Sequence, residues 1–394
     1  MRSPRDVDDP RLAAAAWSRL AEPGDLVATA LVASMGAVAA LRWVDDLVGG
    51  RADLPNTSST SGPESAILPA RARLQRAVAR WAPRLECADP LREVHVLERL
   101  GGRLLVPGDE MWPESIDDLG RTAPFALWVR GAHDLRSLLQ GSVALVGARA
   151  CTEYGRRVTD EIAGTLAARR TTTVSGGAYG IDAAAHRAAL VAGGPTVAFL
   201  AGGVDRLYPA GNSEILRELM ESGGAVVSEV PPGSVPNRVR FLHRNRLIAA
   251  ASRATVVVEA AWRSGSLSTA ARAVELGRPV GAVPGPVTSP ASTGCHRLLR
   301  DGAVCVTGGD EVLELVGSIG ESYGAEPPGD PRPGDGLEPE DRATWEALPL
   351  RSGATVDGLA RAAGLSTTET RAALGRLELA GLAERHDGGW RRGR

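Results

Sequence analysis

The stretch Thr173-Val174-Ser175-Gly176-Gly177-Ala178-Tyr179-Gly180-Ile181-Asp182-Ala183-Ala184-Ala185-His186 decides the fold. A β-branched apolar run ends here, turns on three glycines and passes into an alanine-rich helical pattern, as a strand feeding a helix does. The same rhythm runs outward in both directions. Upstream stand RLLVPG from Arg103, FALWVRG from Phe125 and SVALVGAR from Ser142; downstream stand TVAFLAGG from Thr196, GAVVSEV from Gly224, ATVVVEA from Ala254, PVGAVPG from Pro279 and AVCVT from Ala303. Continuous apolar runs that alternate with helices are buried on both faces, which predicts an extended Rossmann-like, doubly wound, mostly parallel α/β sheet. Nearly every run closes on Gly or a small polar residue, which suits strand ends that admit a ligand.

The flanks differ. Leu12, Ala16, Leu20, Leu26, Leu31, Val38, Leu41 and Val44 recur at helical spacing, interrupted at Glu22-Pro23-Gly24-Asp25. With a further helix over Ala70 to Trp81, they predict a small helical, SAM-like domain over residues 1–95. Pro55 to Pro69 has the Ser, Thr, Pro and Gly content of a loop. The Rossmann-like domain is expected over 96–320. Gly324 to Glu340 holds five prolines and four glycines, so residues 321–338 are expected as a linker. Residues 339–394 are expected as a winged-helix domain, with helices Val356 to Ala363 and Thr367 to Ala380, the second opened by a Ser366/Glu369 capping box, and a hairpin around Gly388-Gly389.

A length of 394 residues with 43% hydrophobic content supports two or three domains. The net charge of −2 gives no global attraction to nucleic acid, so any contact must come from a local basic patch. All 45 basic residues are Arg, whose planar fork binds phosphate through two prongs. Cys87, Cys151, Cys295 and Cys305 lack paired spacing, which fits a reducing cytoplasm, and no apolar run is long enough to span a bilayer.

Four segments carry candidate chemistry. In VALVGARACTEYG, Gly147 ends a strand and Arg149 points into the crevice before a helix starting near Tyr154; both G-x-G-x-x-G and the P-loop Lys-Ser/Thr are missing. In the opening stretch, Gly176, Gly177 and Gly180 let the backbone approach a ligand, and the following helix start offers a phosphate-sized anion site. The alternative is that Asp182 caps the helix and Ser175 completes the turn, with Asp182 and His186 a satisfied structural pair rather than an acid–base couple. FLHRNRLIAAAS, preceded by Arg238 and Arg240, is the strongest basic cluster. If it is helical throughout, Arg244 and Arg246 project about 200° apart and one of them is structural; if its start is extended, both reach one backbone track, with Asn245 holding the loop. In VVVEAAWRSGSLSTAA, Ser264-Gly265-Ser266 opens a helix suited to an anion, and Glu259 is expected to pair with Arg246. His186, His243, His296 and Cys295 lack metal-ligand spacing and no nucleophile elbow appears, so no metal, catalytic residue or cofactor is assigned.

These segments, in this order, closely resemble the DNA-processing protein A (DprA, or Smf) family over roughly residues 105 to 310. The match rests on Gly147-Ala148-Arg149, Ser175 to His186, Tyr208-Pro209, Ser228-Glu229, Arg244 to Ala249, Val257 to Glu259, Ser264 to Ala270 and Pro284-Gly285. The resemblance implies a cytoplasmic homodimer that binds and protects incoming single-stranded DNA, helps load the RecA recombinase during transformation, and is not an enzyme. The DNA-binding residues it implies, taken with the residue-level reading, are Gly147, Arg149, Ser175, Gly176, Gly177, Tyr179, Gly180, Arg240, Arg244, Asn245, Arg246, Ser264, Gly265 and Ser266. Tyr179 departs from the family, which usually has a basic residue there; a base stacked on its ring would replace that charge. Cys295-His296 also stands where the family tends to have a polar residue and Asn.

Two other readings compete. One is a Rossmann-like nucleoside-monophosphate hydrolase; its P-G-G-x-G-T-x-x-E loop corresponds here to Ser264 through Thr269, with no carboxylate until Glu275. The other is a regulator acting through the winged helix, whose second helix carries Arg371 and Arg376 but also Glu369 and Glu378.

Overall fold

The computed structural model describes residues 7–54, 71–317 and 336–393. The chain divides into two compact units, Met1–Tyr323 and Gly324–Arg394. The N-terminal helices and the sheet share the first unit.

Five helices lead: α1 (Pro10–Leu20), α2 (Leu26–Met35), α3 (Ala37–Val48), α4 (Arg71–Cys87) and α5 (Pro90–Arg99). The predicted turn at residues 22–25 separates α1 from α2, and Asp25 caps α2 by accepting the Val27 and Ala28 N–H groups. Gly36, at φ +81°, breaks α2 from α3 where a side chain would be strained. No single described helix is long and apolar enough to cross a membrane; α2 and α3 reach that composition only as a pair bent by 114°. Their apolar side chains Ala28, Leu31, Ala40, Leu41 and Val44 instead pack with Trp17 and Trp81 in a helical core.

All nine apolar runs form strands. They are β1 (Gly102–Leu105), β2 (Leu127–Gly131), β3 (Val143–Val146), β4 (Thr173–Ser175), β5 (Thr196–Phe199), β6 (Ala225–Ser228), β7 (Ala254–Val257), β8 (Val280–Ala282) and β9 (Val304–Cys305). Between them lie α6 (Leu135–Leu139), α7 (Glu153–Ala168), α8 (Ile181–Val191), α9 (Ser213–Glu221), α10 (Arg238–Ala251), α11 (Ser266–Glu275) and α12 (Thr293–Arg300), with α13 (Gly309–Val316) after β9. The sheet order is β1-β2-β6-β5-β4-β3-β7-β8-β9, antiparallel at β1–β2 and β2–β6 and parallel elsewhere.

Side chains along β3 alternate between the two faces. Val143 and Leu145 pack with Ile162 and Leu166 of α7 and Ala185 of α8, while Ala144 and Val146 pack with Leu247 and Ile248 of α10. The chain winds outward from β3 through β4, β5 and β6, then returns to β7 beside β3 and winds the other way through β8 and β9. The switch point, where a doubly wound sheet opens a crevice at its carboxyl edge, therefore lies between β3 and β7.

In the second unit, α14 (Pro339–Ala347), α15 (Val356–Ala363) and α16 (Thr367–Leu379) precede a hairpin of β10 (Ala383–His386) and β11 (Gly389–Arg392). Gly364, at φ +68°, ends α15, and the Ser366/Glu369 capping box opens α16, so both boundaries stand where the sequence places them. Leu359, Leu374, Leu377 and Ala383 fill the core. Pro339 and Glu340, the last residues of the proline- and glycine-rich stretch, begin α14 at the expected start of the winged-helix domain; that stretch up to residue 335, and the Pro55 to Pro69 loop, lie outside the described residues.

Candidate nucleic-acid interface

At the carboxyl edge of β3, β4 and β5, three loops meet the exposed start of α10. Arg149 follows β3, Tyr179 follows β4, and Arg206 and Tyr208 follow β5; together with Phe241 of α10 they line a shallow recess of about 40 Å³. The Arg149 guanidinium lies 4.9 Å from the centre of the Phe241 ring, and the Tyr208 ring stands 6.1 Å from it at 52°. Tyr179 is 51% exposed and Tyr208 49%. Cations held over aromatic faces beside uncovered aromatic rings offer what a single strand presents: phosphates and unpaired, stackable bases.

Beneath this face is a buried charge. Arg244, one turn along α10 from Phe241, is only 5% exposed; its Nη1 donates to the Phe199 carbonyl at 2.6 Å and its Nε has no partner. Its guanidinium fills the space that a Cβ on Gly176 would need. Burial lowers its pKa to about 10, so it stays charged at neutral pH. Asp182 answers that charge: its carboxylate accepts the Ala178 N–H, and burial raises its pKa against the pull of Arg244. His186 Nδ1 lies 2.7 Å from the Thr196 hydroxyl, and burial, then Arg244, push its pKa down to about 3.

This gives a signed pH prediction. His186 is neutral when folded and titrates near its ordinary value of 6.5 when unfolded, so below that pH the unfolded chain takes up more protons. Its contribution to stability is complete above pH 6.5 and is lost as pH falls towards 3, on the order of 2 kcal/mol by pH 5. Thermal melts at pH 7 and pH 5 should show a smaller acid-side loss for His186→Asn than for the unmodified chain.

Comparison with known proteins places the chain in a family. The family model for DNA recombination-mediator protein A matches residues 103–317, and that for the DprA winged helix domain matches residues 327–389. The chain belongs to the DprA family. It is 49% identical over 312 residues to a putative DNA processing protein DprA of Mycobacterium tuberculosis, covering 76% of this chain and 79% of that protein. The DNA processing protein DprA of Streptococcus pneumoniae is 41% identical over 205 residues, 52% of this chain and 71% of that one. The X-ray structure of DprA from Streptococcus pneumoniae superposes with a TM-score of 0.54 at 32% identity, covering 70% of this chain and 91% of that one.

Within this DprA fold the structure redistributes the residues singled out from sequence. Gly147, Gly177 and Gly180 lie close against the protein's own atoms. Gly180 lies against the carbonyls of Ala148 and Arg149, Gly177 faces Leu216, and Gly147 faces Ile181 and the Glu259 carbonyl. The α8 start is self-occupied, since Ile181 N–H donates to the Ala148 carbonyl and Asp182 holds the preceding turn. Ser175 is fully buried and its hydroxyl donates to the Leu145 carbonyl at 2.7 Å, which turns it into the sheet. Asp182 and His186, expected as a pair, have separate partners.

The arginine segment is helical from Arg238, so Arg244 and Arg246 diverge. Arg246 makes a two-pronged ion pair with Glu229 at 2.7 and 2.6 Å and donates from Nε to the Thr122 carbonyl. The expected Arg246–Glu259 pair does not form. Glu259 instead holds Thr152, the residue that caps α7, accepting its N–H at 2.8 Å and its hydroxyl at 2.5 Å. Arg240 is held by Glu22, in the turn between α1 and α2, at 2.9 Å. Asn245 donates to the Gly265 carbonyl and the Ser268 hydroxyl, so it anchors the loop before α11 rather than the arginine segment. Ser264 and Ser266 lie 2.8 Å apart through their hydroxyls and, with Gly265, stand outside the recess.

Of the expected set, the structure brings Arg149, Gly176 and Tyr179 to the recess. Sequence reasoning missed Phe241, Arg206 and the site role of Tyr208. A signal was present: only 4% of residues are aromatic, with three Phe and four Tyr in the whole chain, so aromatic residues at two loop turns and one basic helix start are conspicuous.

Proposed function

We propose that this DprA-family chain binds single-stranded DNA on the Arg149–Phe241–Tyr208–Tyr179 face, protects incoming DNA and promotes its transfer to RecA during transformation, without chemistry of its own. The observation that carries this reading is the Phe241 ring with both the Arg149 guanidinium and the Tyr208 ring against it, in a recess that half-exposed Tyr179 also lines. Exposed arginines supply a salt-sensitive attraction to phosphate, and uncovered rings supply stacking that works with any base. The family resemblance adds the cytoplasmic homodimer and RecA as partner.

The binding reading is favoured over the hydrolase by occupied helix starts. Glu259 fills the α7 start beside the switch point and Asp182 holds the turn before α8, where a nucleotide phosphate would otherwise find free N–H groups. Glu275, the first carboxylate after the α11 loop, pairs with Arg272. Incubation with AMP should release no adenine.

Helix α16 of the winged unit offers a weak basic face for duplex contact: Arg376 is engaged by Asp341 through a two-pronged ion pair, and Arg371 shares the helix with Glu369 and Glu378. The deciding experiment compares oligo-dT with duplex DNA at two salt concentrations. We expect tighter binding to oligo-dT, weakening as salt rises, and retained after deletion of residues 336–394. Preference for duplex, or loss of binding on that deletion, would move the function to the second unit.

A further inference from the structure

A second aromatic and cationic group stands on the same edge of the sheet. Trp262, on the loop after β7, is 53% exposed, and the Arg297 guanidinium from α12 lies 5.3 Å from its ring centre. Arg263 beside it is exposed, as is Arg300 a turn beyond Arg297. The Arg297 charge is only loosely engaged, with Asp301 at 3.9 Å. The half-exposed ring is held by a cation over its face rather than by apolar neighbours, which leaves the rest of its surface open to stacking.

This group lies along the same strand-end edge as the recess. Strands β5, β4, β3 and β7 are consecutive neighbours and parallel, so their following loops lie along one edge, three strand spacings or about 14 Å from first to last. The loop carrying Trp262 is also tied to α10, because Asn245 donates to the Gly265 carbonyl one helical turn from Phe241. The two aromatic groups thus share a sheet edge, and α10 carries Phe241 of the first and braces the loop of the second.

We infer that Trp262, with Arg263 and Arg297, forms a second contact point for single-stranded nucleic acid, stacking one base while the arginines take flanking phosphates. This rests on the proposed function of the first face. A strand that occupies the recess alone needs few nucleotides, whereas one that also reaches Trp262 must cross the switch point. The consequence is a length-dependent affinity set by Trp262.

The test titrates the full chain with oligo-dT of about four and about sixteen nucleotides, the limits of what single-strand folds commonly accommodate. Trp262→Ala should lose roughly 5- to 160-fold on the longer strand and less on the shorter, with Trp262→Phe retaining most of the affinity. Phe241→Ala should lose affinity on both. If Trp262→Ala matches the unmodified chain on both lengths while Phe241→Ala does not, the second contact point is overturned and the first stands. If Phe241→Ala changes neither, the reading on which the inference rests has failed. A Trp262→Ala chain that binds both lengths normally but sediments as a smaller species assigns the patch to contact between copies and also overturns the inference.

Discussion

Arg246→Ala should lower the melting temperature of the first unit by on the order of 10 °C, the largest stability effect expected of any residue in the basic segment. Arg246 and Glu229 are both almost fully buried and bonded through both prongs. Removing the arginine leaves an uncompensated carboxylate in the interior, along with a Thr122 carbonyl that has lost its Nε donor, at a cost of about 3–5 kcal/mol. The same logic predicts a rescue: Arg246→Leu combined with Glu229→Leu should recover most of the loss, because two matched apolar side chains need no counter-charge. Calorimetry of the single and double variants checks both. If the double variant melts as low as the single, packing rather than the stranded charge sets the cost.

Phe241→Ala and Arg149→Ala should weaken oligo-dT binding in distinguishable ways. Loss of the ring removes a stacking platform and the support under the Arg149 guanidinium, an expected cost of about 1–3 kcal/mol with the salt dependence intact. Loss of Arg149 removes a cation, so affinity falls and the slope against salt flattens by about 0.7, the value for one single-strand phosphate contact. Arg244→Ala is the wrong probe of the DNA surface. That side chain is sealed between Gly176 and the Phe199 carbonyl, so its removal should register first as a cavity and a lower melting temperature.

The sheet was legible because its central strands, β3 to β8, are buried along their whole length, which forces continuous apolar runs that no surface function disturbs. The boundaries around Gly364, Ser366 and Glu369 were legible because capping chemistry is local. The site was less so. Ser175, Gly176, Gly177 and Gly180 have the composition of a phosphate loop, but whether such a loop receives a ligand or its own protein's atoms depends on tertiary neighbours. Here those neighbours are Arg244, Asp182 and the Ala148 carbonyl. The Arg246 partner was misassigned for the same reason: Glu229 and Glu259 both end strands, and only the packing of α10 and α7 places one at the arginine and the other at Thr152. Phe241 escaped notice because a lone aromatic in a basic helix looks like a core residue until the helix is seen to be exposed at its start and buried from Arg244 onward.

The central claim, that a single strand lies on the arginine–aromatic face of the first unit, is tested most directly by photocrosslinking. Full-length protein bound to oligo-dT carrying iodouracil is irradiated, digested and mapped by mass spectrometry. Adducts on the peptides that carry Tyr179, Tyr208 or Phe241 are the predicted result. Adducts confined to residues 336–393, with none on those peptides, would contradict it.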